Sequence, residues 1–142
     1  MRVRPGLAIE LAVVAVGLLT LWNEVAFHRR FSALRVGSEI PMMRPGSDWP
    51  SPNMIASIDD KVTLAWQGHL LPMRWLLDGD AGTRRITSVF AYNWHSNGAG
   101  LIEDPPEPPA DTLFRLAFLF SVLHLFWRLG RGLLPGERGG RC

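Results

Sequence analysis

His124 is the residue whose type and setting most invite chemistry. It lies inside an apolar run, Leu113 to Leu134, where an imidazole is costly to place and polar groups usually have a task. A histidine at such a depth can ligate a metal, including that of a haem or a chlorophyll-type macrocycle, or it can hydrogen-bond across a helix interface. His28 and His124 do not fall at matching depth. His28 closes one apolar run, while His124 lies about 20 Å below the outer end of the other. One chain therefore does not clamp a haem between them. Nothing in the sequence fixes the separation of His69 and His95. Asp78, Asp80 and Gly82 echo the opening of a calcium loop, but no downstream Glu completes it. There is no Ser-His-Asp order, nucleophile elbow or phosphate-binding loop. Cys142 is the only cysteine, which excludes an internal disulfide and a CxxC zinc site. The expectation is a chain with no catalytic centre and no metal site, in which cofactor binding rests on His124 alone.

The elements that must position these groups are two apolar segments. The first, Leu7 to Trp22, extends with Pro5 in front and Val25 to Phe27 behind to about 30 Å of helix, a bilayer's thickness. Arg2 and Arg4 precede it, as in a signal peptide, but Asn23 to Arg30 offers no small-x-small cleavage site, so an uncleaved anchor is expected. The second run is interrupted by Arg115, His124, Arg128 and Arg131. Ser121, His124, Arg128 and Arg131 share one stripe, and Phe114, Leu116, Phe118, Leu123 and Phe126 cover the rest. That suits a span with one polar seam better than the rival, an amphipathic helix on the membrane surface. On the first segment Glu10, Gly17, Thr20 and Glu24 fall on one face. In an antiparallel hairpin, Glu10 meets Arg128 near one surface and Glu24 meets Arg115 near the other. Helical phase allows at most one of these pairs within the chain, and the other group is left for another subunit. Gly17 on that face would let a neighbouring helix approach closely. The bland alternative is that the end charges snorkel to the headgroups.

His124 followed by Trp127-Arg128 in an apolar helix resembles the pigment-binding helix of bacterial light-harvesting polypeptides, over roughly one helix of about 20 residues. The resemblance implies a bacteriochlorophyll ligated by His124. The alternatives of a haem ligand and of a plain interhelical hydrogen bond stay open.

Basic residues flank both ends of the chain: Arg2 and Arg4 before the first segment, Arg128, Arg131, Arg138 and Arg141 at or after the end of the second. Both ends therefore read as cytoplasmic, with the long intervening loop exported despite Arg29, Arg30 and Arg35. That loop reads as β-rich. Met54 to Ile58 is a strand, Asp59-Asp60 a turn, and Val62, Leu64 and Trp66 alternate with polar or small residues. His69 to Leu77 is ambiguous between strand and short helix, with Pro72 inside it. Asp78 to Gly82 reads as a loop. Thr83 to Asn93 reads as a strand with Ile86, Ser88, Phe90 and Tyr92 on one face. Asn97-Gly98 is a turn signal, and Glu103 to Pro109 a stiff Pro-rich strut. So few residues make a marginal core without a disulfide, and packing on a partner or on the membrane would remedy it. Of the tryptophans, two are expected in that core, and Trp49, Trp75 and Trp94 are candidates for a surface facing a partner.

The expected architecture is a membrane protein with two transmembrane α-helices (7–27 and 112–134) in an N-in, C-in hairpin. A small extramembrane antiparallel β-rich domain (31–103) and a strut (104–110) lie between them, with short cytoplasmic segments at 1–6 and 135–142. In a bacterium this is a multi-pass protein of the cytoplasmic (inner) membrane with a periplasmic central domain. A formal net charge of +2, from 15 basic and 13 acidic residues, leaves no nucleic-acid footprint. The expected role is a non-catalytic accessory subunit of an energy-transducing membrane complex, photosynthetic before respiratory. Its partners would be other membrane subunits and the lipid bilayer. The rivals are a pigment- or haem-binding subunit that uses His124, and a membrane-anchored periplasmic binding or assembly factor.

Overall fold

The computed structural model describes residues 5–93 and 108–133. Trp94, His95, the Asn97-Gly98 turn, most of the Pro-rich strut and both termini, with Arg2, Arg4, Arg138 and Arg141, lie outside the described residues. The elements are α1 (Pro5–Ser32), a single 3-10 turn (Pro41–Met43), β1 (Met54–Ile58), β2 (Lys61–Gln67), β3 (Met73–Asp80), β4 (Arg85–Asn93) and α2 (Pro109–Leu133). Both helices open on proline, whose missing N–H costs nothing at a first helical position. Arg29 and Arg30 in the last turn of α1, Arg131 in the last turn of α2 and Asp111 in its first complement the helix dipoles. Two helices are long and apolar enough to cross a membrane, Gly6–Ser32 and Pro109–Arg131. Large apolar side chains stay exposed around both, among them Leu11, Leu18, Leu19 and Trp22 on α1 and Leu116, Phe120, Leu123 and Phe126 on α2.

The chain forms two compact units, Met1–Leu19 with Glu107–Cys142, and Thr20–Pro106. In the second, the strands make an antiparallel meander in the order β1-β2-β3-β4. Asp59 takes a left-handed φ of 54° in the two-residue turn between β1 and β2, a conformation Asp tolerates. Val62, Leu64 and Trp66 are buried, as their alternation predicts, together with Trp75, Leu77, Ile86, Ile40 and Phe31. The start of β4 is edged by the segment before the 3-10 turn. Gly37 and Ile40 donate to the carbonyls of Ile86 and Arg84, at 2.7 and 2.9 Å, and Ile86 donates to Ser38 at 2.8 Å.

One ambiguity is resolved and two sequence expectations are corrected here. The His69–Leu77 ambiguity resolves as strand only from Met73. Asp78, Gly79 and Asp80 are not a loop but the end of β3, with Gly79 opposite both Val62 and Ile86. The strand continues because Gly79 pairs on both sides, and the position takes glycine because a side chain there would overlap the fully buried Ile40. Finally, Ile86, Ser88, Phe90 and Tyr92 do not share a face. Gly79 pairs with Ile86 but Asp78 pairs with Ser88, so Thr87 is an extra residue in β4. Such a bulge reverses the inside-outside alternation beyond it. Ile86 therefore lies in the core and Val89, half-buried, packs against it, while Phe90 remains 54% exposed.

The bulge makes a test by substitution. Val89→Asp should destabilise the folded chain by at least about 2 kcal/mol, because it forces a charge into the core. Phe90→Asp should cost less than about 1 kcal/mol although it removes the larger side chain. Denaturant unfolding followed by tryptophan fluorescence measures both, and uninterrupted alternation predicts the reverse order.

Candidate functional site

In the unit built from Met1–Leu19 and Glu107–Cys142, α1 and α2 run antiparallel. Gly17 packs directly on Phe118, and a Cβ at position 17 would overlap the phenyl ring, so the close approach requires glycine. Near the N-terminus of α1, Glu10 meets α2. His124 Nδ1 lies 2.9 Å from Glu10 Oε1, and Arg128 Nη1 lies 3.9 Å from Glu10 Oε2. A carboxylate only accepts, so Nδ1 carries the proton of that bond, and Nε2 is the nitrogen left for another partner. The imidazole stacks on Trp127 with ring centroids 5.7 Å apart, and Arg131 lies over the same indole at 4.1 Å. The sequence places Glu10 with Arg128; in the structure His124 approaches one oxygen of Glu10 and Arg128 the other. The Trp127–Arg131 stack adds a contact to this end of the pair, and the spacing of four residues that puts the two on neighbouring turns is its signal in the sequence. Ser121 and Arg115, both half-buried, lie further up α2.

Glu24 has a different role from the one expected opposite Arg115. It is buried at 8% exposure in the Thr20–Pro106 unit. Its Oε1 accepts from the backbone N–H groups of His69 and Leu70 at 2.5 and 3.0 Å, and its Oε2 accepts from that of Leu71 at 2.7 Å. Consecutive N–H groups turned to one point make an anion nest, and here a side chain of the same chain fills it. One turn later, Trp75 Nε1 donates to His28 Nδ1 at 2.9 Å, which assigns the neutral ring's proton to Nε2. Phe27 lies edge-on to Trp75 at 5.1 Å and to Trp49 at 5.5 Å, and Phe31 is edge-on to Trp66 at 6.0 Å. Glu24, Phe27, His28 and Phe31 thus form one helical stripe against the sheet. The sheet unit consequently begins at Thr20, inside the segment 7–27 expected to be wholly transmembrane, and the half-buried Thr20 belongs to it.

Trp75 is corrected from a partner surface to the core, at 1% exposure, because it stands opposite Trp66 on the inward face of β3. Trp49 is half-buried on the same cluster, with the Arg30 guanidinium 5.1 Å above its ring. On the other face of the sheet, Asp78 accepts from Thr63 Oγ1 at 2.7 Å and from Ser88 Oγ at 2.6 Å, a row closed among neighbouring strands. Asp80 accepts from the backbone N–H and the hydroxyl of Thr83, at 2.6 and 2.7 Å. These two bonds, the backbone one first, hold its carboxyl below the usual carboxylate range. Among the described residues no group of three His, Cys, Asp or Glu side chains is placed to hold a metal ion.

No protein-family model, curated protein or solved structure matches this chain.

Removing the Glu24 carboxylate leaves three amides without their acceptor. Glu24→Ala should destabilise the chain by about 2–4 kcal/mol and Glu24→Gln, which keeps one acceptor oxygen, by less. Urea denaturation of the full chain in detergent measures the difference. Asp80 gives a pH test. Its contribution is complete above the ordinary carboxylate pKa and is lost as pH falls through its lowered folded value. In Thr83→Val one of the two bonds is gone, so the Asp80 pKa measured by NMR should rise toward 3.8.

Proposed function

We propose that this chain is a two-span integral membrane protein and a non-catalytic accessory subunit of a larger energy-transducing membrane complex. The observation that carries the reading is the surface of the two helices. Apolar side chains lie exposed on several sides of each, and almost none of either apolar segment is buried by the chain itself. Lipid and neighbouring transmembrane helices are the cover that suits so much apolar surface on helices of this length. The flanking arginines orient the hairpin with both ends in the cytoplasm and the Thr20–Pro106 unit outside, in the periplasm of a bacterium. The Asp78 row and the Glu24 nest are closed on themselves and offer no reacting group, which favours a structural role. The resemblance of His124 with Trp127-Arg128 to a light-harvesting helix tips the choice slightly toward a photosynthetic complex over a respiratory one.

A second reading is supported by one specific contact. A histidine that ligates a metal commonly gives its other ring N–H to a carboxylate, which fixes the tautomer and raises the basicity of the ligating nitrogen. Glu10 stands in that position toward His124. The residues thus fit a haem or bacteriochlorophyll held through His124 Nε2, and such a group would supply light absorption or electron transfer.

Native membranes solubilised in mild detergent and sized on a native gel test both readings. The accessory-subunit reading expects the chain in a band several times its own 15.9 kDa, together with other polypeptides. Migration alone overturns it. The second reading expects a visible absorption in the same band that disappears in His124→Leu. A band without colour, or colour that survives this substitution, overturns that reading. Resistance to carbonate extraction is expected of a two-span protein, and release by carbonate would overturn the membrane reading itself.

A further inference from the structure

We infer that the end of the helix pair carrying Glu10, Trp127, Arg128 and Arg131 binds the phosphate of an anionic phospholipid headgroup. The inference rests on the two-span reading and adds a ligand to it. The geometry supplies three reasons. First, the guanidinium of Arg131 lies 4.1 Å from the centre of the Trp127 ring. A stacked guanidinium is held by its face, and its N–H donors stay in plane for a two-point contact with phosphate. Second, the charge is unbalanced. Glu10 is the acidic side chain of this end among the described residues, since Asp111 lies at the opposite end of α2. Its Oε1 is engaged by His124, and its Oε2 is 3.9 Å from Arg128. One carboxylate shared in this way does not neutralise two arginines, and the sequence continues with Arg138 and Arg141 against Glu137 alone. Third, Trp127 is 52% exposed and Arg131 is exposed, so an indole and a cation lie side by side at the end of an apolar helix. That combination belongs at the headgroup level of a bilayer, where phosphate is the abundant anion.

The full chain in detergent micelles, titrated with phosphatidylglycerol, phosphatidylcholine or inorganic phosphate and followed by native mass spectrometry, tests this. Retention of phosphatidylglycerol well above phosphatidylcholine is expected. Arg131→Gln and Arg128→Gln should each weaken that retention about fivefold. Trp127→Leu should weaken it and Trp127→Phe largely preserve it, because only an aromatic ring supports the stack. Equal retention of the two lipids, or retention unchanged in both arginine variants, overturns the inference. So does competition by millimolar inorganic phosphate, which would show a general anion site. Should the chain instead be released by carbonate from vesicles of either lipid, the spanning reading itself fails, a result distinct from equal retention by an inserted chain.

Discussion

The carboxylate of Glu24 sits in the turn between β2 and β3, where the amides of His69, Leu70 and Leu71 converge on it. Burying a carboxylate costs several kcal/mol unless its lone pairs are satisfied, and three charge-assisted N–H bonds are what offsets that cost here. The bond set also works in reverse. The three amides lie in the turn outside the strand pairing of β2 and β3, and Glu24 supplies their acceptor. Helix and sheet therefore satisfy each other, and the last turns of α1 are part of the folded β unit.

That arrangement answers the difficulty of a small sheet without a disulfide. The inward face of four short strands offers Val62, Leu64, Trp66, Trp75, Leu77 and Ile86. Nothing in the sheet itself covers them. Phe27 and Phe31 from α1, with Ile40, Trp49 and the methionines of the 3-10 turn, close the core from the other side. The aromatic rings meet edge-on or tilted, the geometry their quadrupoles favour. The covering element is supplied by the chain's own helix, in place of a partner.

The helix pair follows a different logic. Phe118 in the space left by Gly17 fixes how close the helices come, and Glu10 with His124 and Arg128 fixes their register. Glu10 on this apolar helix is held by one hydrogen bond from His124, at 2.9 Å, and by the charge of Arg128 3.9 Å from its other oxygen. The outward surfaces carry leucine, phenylalanine and tryptophan, which gain nothing from each other and are suited to hydrocarbon. Apolar side chains exposed on several sides of both helices are the physical basis for reading the pair as a membrane structure.

Composition along the chain determined a good part of this. The two helices, β1, the turn at Asp59-Asp60 and the buried alternation of β2 all follow from local periodicity, because each depends on residues a few positions apart. The Glu10–Arg128 proximity was also legible, because two rigid helices of matching length leave few registers. What the sequence could not decide was how distant residues meet in the β unit. The bulge at Thr87 reverses the faces of β4, and period-2 reading assumes that no residue is inserted. Gly79 reads as a loop residue until Ile40, far away in sequence, is seen to need the space above it. Trp75 looks like any tryptophan until Trp66 stands opposite. Glu24 looks like a helix-interface charge because the amides that bind it come from a turn 45 to 47 residues further on, and backbone N–H groups leave no mark in an amino-acid sequence.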